Sequence, residues 1–153
     1  QRFFKEYNVN DHNVDMVLVR DIDDDAIQIS FIATKPNSNF FKYLLNNITT
    51  DVLDKKKGNN SLDVTGPYAF CRYFKLFFNL DKIPEGINNI KGLDNNYYKI
   101  RIDLRQYKGL VFRDIKTQKI IASTKIRSHN NDLYNVTKIP KYTHLWQDNI
   151  IFK

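Results

Sequence analysis

The chain lacks the residues that staple small folds together. Its one cysteine, Cys71, has no partner for an internal disulfide, which fits a reducing compartment, and with it a cytoplasmic location, or simple indifference to redox. Three histidines, far apart in sequence, argue against a structural zinc site of the Cys/His type. Five glycines and four prolines exclude collagen-like and low-complexity chains. No apolar run approaches the roughly 18 residues that a membrane span needs. No basic-then-apolar leader opens the sequence, and Gln1 in place of Met reads as a processing site or a fragment boundary.

What is present suffices for one globular domain. Of 153 residues, 42% are hydrophobic and 14% aromatic, and a fold of this size buries about 68–70% of the surface of its unfolded chain. The net charge of +7 is unevenly spread. Residues 1–34 carry three basic and seven acidic side chains, a net −4, while residues 35–153 carry 21 and 10, a net +11. A basic body suits nucleic acid, an anionic surface or phosphorylated substrates. The basic residues are scattered, however, and Lys55-Lys56-Lys57 beside Gly58-Asn59-Asn60 reads as a solvated loop. Nucleic acid is therefore not the favoured partner.

Patterning gives the elements. Met16-Val17-Leu18-Val19 and the alternating Ile27, Ile29 and Phe31 read as two strands joined by the acidic turn Asp21–Asp25. Pro36-Asn37-Ser38-Asn39 offers a helix start with Asn and Ser as caps, and Phe40, Phe41, Leu44, Leu45 and Ile48 follow on one buried face. That helix should fade before Lys55. Leu62 to Pro67 reads as a short extended piece ending in a Gly-Pro turn. Tyr68, Cys71, Phe74, Phe77 and Phe78 then mark a second amphipathic helix, with Pro67 in its first turn. Tyr98, Ile100, Ile102 and Leu104 alternate as in a half-buried strand, and Leu110–Phe112 with Ile120–Ala122 flank a hairpin turn. The fold class is α/β, with short mixed strands and two amphipathic helices.

Four places bear chemistry. Asp21 to Asp25 contains Asp-x-Asp, whose carboxylates suit a hard divalent cation, yet Asp is equally at home in a turn. Asp63-Val64-Thr65-Gly66-Pro67 precedes an aromatic helix; its Gly permits close backbone approach to a ligand, or serves an ordinary turn. Near the C-terminus, His144 and Trp146 supply a metal or phosphate ligand and a stacking face, or pack as core. Cys71, at helical spacing with Phe74 and Phe78, belongs to the core.

Taken in order, these segments resemble the C-terminal part of family 32 glycosyltransferases, the group with the DXD sugar-binding region and the yeast-type initiating mannosyltransferases. The likeness rests on the strand before Asp21, the strand through Phe31, the helix opened by Pro36 to Phe41, then Thr65-Gly66-Pro67, and the late His144 with Trp146. It covers residues 15–80 well and 140–152 loosely. It implies a GT-A-like fold and transfer of a hexose from a nucleotide-diphosphate donor to a glycan or other hydroxyl acceptor. It also implies a divalent cation, usually manganese. Asp63, Thr65, Gly66, Pro67 and Trp146 are then substrate-binding residues and His144 a metal ligand; no catalytic residue is assigned. The family's Asp-x-Asp lies upstream of the portion matched by Val17–Asp21, so Asp21–Asp25 does not inherit its role. Residues 1–153 are accordingly expected to be a single domain, the C-terminal part of a longer transferase domain. The rival expectation is a non-catalytic basic module that binds nucleic acid or an anionic glycan.

Overall fold

A computed structural model describes residues 13–22, 25–60, 62–107 and 111–123. β1 (Met16–Arg20) and β2 (Ile27–Thr34) form the expected antiparallel hairpin. α1 (Asn39–Leu53) and α2 (Pro67–Phe78) follow, then β3 (Gly86–Lys91), β4 (Tyr97–Tyr107), β5 (Val111–Asp114) and β6 (Ile120–Ser123). The sheet runs β2-β1-β4-β5-β6, and β3 pairs with β4 as well. β1 and β4 are parallel; the other pairings are antiparallel. Since β1 takes one edge of β4, β3 and β5 share the other, one behind the other along its 11 residues. This is a mixed α/β fold with a curled mixed sheet. Among the described residues, no helix is long and apolar enough to cross a membrane.

One core lies between the sheet and the helices, and its centre is Phe40. That ring is fully buried and meets Phe41, Phe70, Phe74, Phe77 and Phe78 at centroid distances of 5.1–5.6 Å, mostly edge-on. Such geometry places ring edges against ring faces, as the aromatic quadrupole favours. Leu45 and Tyr68, both expected on the buried helical faces, are instead 62% and 47% exposed. In α1 the inward face is Phe40 and Leu44, and the chain turns so that Asp51 is buried in their line. Asp51 accepts hydrogen bonds from Tyr73 Oη at 2.5 Å, Arg72 Nη2 at 2.9 Å and Lys56 Nζ at 3.1 Å, which makes its burial tolerable.

The second core lies on the other sheet face, with Val14, Val17, Val19, Leu104 and Phe112. β1 is therefore buried on both faces. β4 alternates as expected, with Tyr98, Ile100, Ile102 and Leu104 buried, but its buried residues do not all share one face. Val17 pairs with Arg101 and Val19 with Leu104, so β4 holds one extra residue between them. That bulge reverses the face its later buried residues take. Ile102 faces the helices, while Leu104 joins the opposite core.

The two helices are capped differently. Of the Asn and Ser residues expected to cap α1, Ser38 stands at the cap position, but its side chain makes no capping bond, and its buried Oγ has no hydrogen-bond partner. α2 starts with Pro67 in its first turn, as expected, and closes on Asn79 in the left-handed region (φ 49°).

Candidate functional site

Leu62 to Thr65 run as a turn and successive bends rather than as the extended piece expected, and the Gly66-Pro67 junction leads directly into α2. Val64 is buried, Thr65 is exposed, and the carbonyl of Gly66 accepts the N–H of Phe70 at 3.1 Å. Asp63 Oδ2 accepts the N–H of Asn59 at 2.6 Å, and the Asp63 carbonyl accepts Arg72 Nη1 at 3.0 Å. A Cβ on Gly66 would stand 2.8 Å from the carbonyl oxygen of Leu62 and 2.9 Å from its Cα. The close approach that a glycine permits here is thus made by the chain's own backbone. Asp63, Gly66 and Pro67 all hold the start of α2.

A different segment opens a cleft of about 360 Å³ at the start of α1. Its walls are Thr34 to Asn39 on one side and Asp15, Asn96, Tyr97 and Tyr98 on the other. The linkage from β2 to α1 needs a sharp reversal, and Asn37 makes it at φ 58°. Asp15 anchors the floor: its carboxylate accepts Lys35 Nζ and the N–H of Lys99, each at 2.7 Å. Burial works to raise its pKa, but these bonds and the two lysine charges outweigh it and hold Asp15 below the usual carboxylate range.

Asp94 fixes the opposite wall. Its Oδ2 accepts Tyr98 Oη at 2.5 Å, Asn39 Nδ2 at 2.7 Å and Asn96 Nδ2 at 2.9 Å. Partial burial opposes the charge, yet the donors win and hold Asp94 at about 2. Burial and the neighbouring carboxylate push Tyr98 up to about 12. Near neutral pH both groups keep a single protonation state, so they position rather than shuttle protons. What remains for a ligand is a set of short amides and hydroxyls on a rigid frame. Asn37 is exposed, the buried Ser38 Oγ is unpartnered, and Tyr97 presents a ring that is 65% exposed. Amides, hydroxyls and one open aromatic ring are the groups that meet sugar hydroxyls and the apolar face of a sugar ring.

The residues predicted from sequence are not gathered here. Asp63 to Pro67 do not line this cleft, and His144 and Trp146 lie outside the described residues. Asp23 and Asp24 also lie outside them, while Asp25 pairs with Lys75 and accepts the N–H of Ile83 at 3.0 Å. Among the described residues no group of three or more His, Cys, Asp or Glu stands ready to hold a metal ion. Cys71 is core, as expected: burial pushes its thiol up, and Sγ accepts the N–H of Ile27 at 3.1 Å. Sequence reasoning missed Asp15, Asp94 and Tyr97. The Asn-rich segments around residues 37 and 95 were the available signal, and each alone reads only as a turn. No family model, curated protein or solved structure matches this chain.

Proposed function

We propose that this chain is the acceptor-side part of a glycosyltransferase that moves a hexose from a nucleotide-diphosphate donor to a glycan hydroxyl, and that the cleft at the start of α1 holds a neutral sugar of the acceptor. The observation that carries the reading is the lining of that cleft by Asn37, Ser38, Asn39, Asn96 and the open ring of Tyr97. The ordered resemblance from β1 through α2 supports it, because Pro36 to Asn39, the start of the segment that opens the family's helix, also form one wall of this cleft. A sugar seated against Tyr97 would leave a hydroxyl toward the open side for a donor. In sugar transfer the enzyme's main task is to stabilise charge on the departing diphosphate and to aim the accepting hydroxyl. The described residues bear on the second part.

The manganese and the His144 ligand implied by the resemblance find no partner set among the described carboxylates. Asp15 and Asp94 are already engaged by lysine, amide and hydroxyl donors. No step is assigned through a metal.

Titrating the isotopically labelled chain with methyl mannoside, methyl glucoside and methyl galactoside tests the reading by NMR. At least one should shift the signals of Asn37, Asn39, Asn96 and Tyr97, and Tyr97→Ala should abolish the effect at an unchanged melting temperature. Shifts scattered elsewhere, or none, overturn the assignment of the cleft. Titration with single-stranded RNA and with heparin separates this reading from the alternative, a basic binding module. Tight, salt-sensitive binding of either polyanion with no shift from the neutral sugars favours the module.

A further inference from the structure

Three neighbouring strands place an arginine at the same level of the sheet. Arg20 pairs with Arg105 across the parallel β1–β4 ladder, and Arg105 pairs with Arg113 across the antiparallel β4–β5 ladder. Paired residues point to the same face, so the three arginines stand in a row on one face, carried by strands about 4.8 Å apart. Like charges directly opposite each other in a sheet are destabilising. Such a row therefore calls for negative charge.

Part of that charge is built in. Glu85 Oε1 lies 2.8 Å from Arg105 Nη2 and 3.5 Å from Arg20 Nε. Arg20 is buried and also donates Nη1 to the carbonyl of Ile83 at 2.6 Å, so it forms the base of the row. Arg113 is served differently. Its guanidinium stacks 3.8 Å over the ring of Tyr107, and its buried Nε has no acceptor. Stacking fixes the plane of the group and leaves its N–H edge as the binding edge. Arg105, Arg113, Tyr107, Glu85 and Gln118 line a cleft of about 340 Å³. Asp114 also lines it, but its Oδ1 is turned to the β5–β6 turn, where it accepts the N–H of Lys116 at 3.0 Å, the N–H of Thr117 at 2.7 Å and Thr117 Oγ1 at 3.0 Å. The cleft stands at the carboxyl end of the parallel β1–β4 pair, where open α/β sheets hold their ligands. It is about 20 Å along β4 from Tyr98, by the rise of a strand, and so is separate from the cleft at α1.

We propose that this second cleft is an oxyanion site: Arg105 and Arg113 receive the carboxylate of a uronic acid or the phosphate of a sugar phosphate, with Tyr107 holding Arg113 in plane. That the oxyanion is carried on a sugar rests on the transferase reading; that the cleft takes an oxyanion does not. Guanidinium groups match both chemistries through paired N–H donors.

Titration of the full chain with methyl glucuronide, glucose 1-phosphate and neutral methyl glucoside decides the matter, read at the arginine Nε–H and Gln118 amide signals. One or both anionic sugars should shift Arg105, Arg113 and Gln118, and methyl glucoside should not. Whichever of the two binds more tightly identifies carboxylate or phosphate. Arg113→Gln should weaken binding about tenfold or more, the loss expected for a charge-assisted hydrogen bond. Its melting temperature should hold or rise, because a like-charge pair is relieved. Arg105→Gln gives an independent reading should Arg113→Gln fail to fold. Wild-type affinity in a folded variant, equal shifts from methyl glucoside, or no binding of either anionic sugar overturns the oxyanion site. Acetate or inorganic phosphate binding as tightly as the sugar acids overturns the sugar part alone. Failure of the α1 cleft appears separately, as silence at Asn37 and Tyr97.

Discussion

Tyr73 donates its hydroxyl to the buried carboxylate of Asp51 at 2.5 Å, tying the last turn of α1 to the middle of α2. A carboxylate near a helix C-terminus opposes the helix dipole, so Asp51 depends on its partners. Arg72 and Lys56 complete the set at 2.9 and 3.1 Å. Asp51→Ala should cost about 2–4 kcal/mol in urea unfolding, because it removes the acceptor of a buried hydroxyl and of two cations. Tyr73→Phe should cost about 1 kcal/mol. The double variant should be little worse than Asp51→Ala alone; full additivity would show that the two groups are not coupled.

Stability should fall in acid. Asp94 is held at about 2 in the folded chain against an ordinary 3.8. A depressed carboxylate contributes stability that is fully present above its unfolded pKa and is lost as pH falls through the folded one. Asp15, Asp25, Asp51 and Asp114 are lowered in the same direction. The melting temperature should therefore drop between about pH 5 and pH 2. Asp94→Asn should flatten that drop. Tyr98 acts at the other end: raised from 10 to about 12, its neutral form stabilises the fold below pH 10, and the gain is lost as pH climbs toward 12. A melting temperature independent of pH over both ranges would contradict these assignments.

Gly66→Ala separates two roles for the Thr-Gly-Pro turn. The new Cβ would press on Leu62 backbone at 2.8–2.9 Å, so the turn must shift at a cost of about 1–3 kcal/mol. Differential scanning calorimetry should show the lower melting temperature, with monosaccharide binding at Asn37 and Tyr97 retained. A stable variant that loses donor or acceptor binding would instead make Gly66 the ligand contact that the resemblance implies.

Phe40→Ala should be the most damaging single change in the helix-side core. Its ring is fully buried among five others, and such truncations cost about 3–5 kcal/mol. Urea denaturation with an unchanged slope measures it.

Local signals made much of this fold readable. Pro67 and the Phe74, Phe77, Phe78 spacing marked α2, the Phe40 and Leu44 spacing marked α1, and the polar turn near Lys116 marked the β5–β6 hairpin. What escaped needed tertiary information. β3 was unseen because Ile87 and Ile90 are three apart, which breaks period-two alternation; β4 supplies the pairing that makes the segment a strand. The split of Ile102 and Leu104 between two cores follows from a bulge set by β1, some 80 residues earlier in the chain. Leu45 and Tyr68 sat at apolar positions that the helices rotate toward solvent. Neither cleft was legible, for the same reason. Asp15, Asn39 and Asp94 meet only because β1 lies beside β4, and Arg20, Arg105 and Arg113 form a row only in the register of the completed sheet.

The central place of β4 also sets the order in which the chain is able to mature. β1 is synthesised well before its parallel partner strand, which spans Tyr97–Tyr107. Until that segment is made, the hairpin of β1 and β2 carries an open edge lined by Val17, Leu18 and Val19, a template for association with other chains. Closing a loop of this length is slow compared with forming α1 and α2. That open edge should make the yield depend on translation speed and on chaperones more than the stability of the finished fold would suggest.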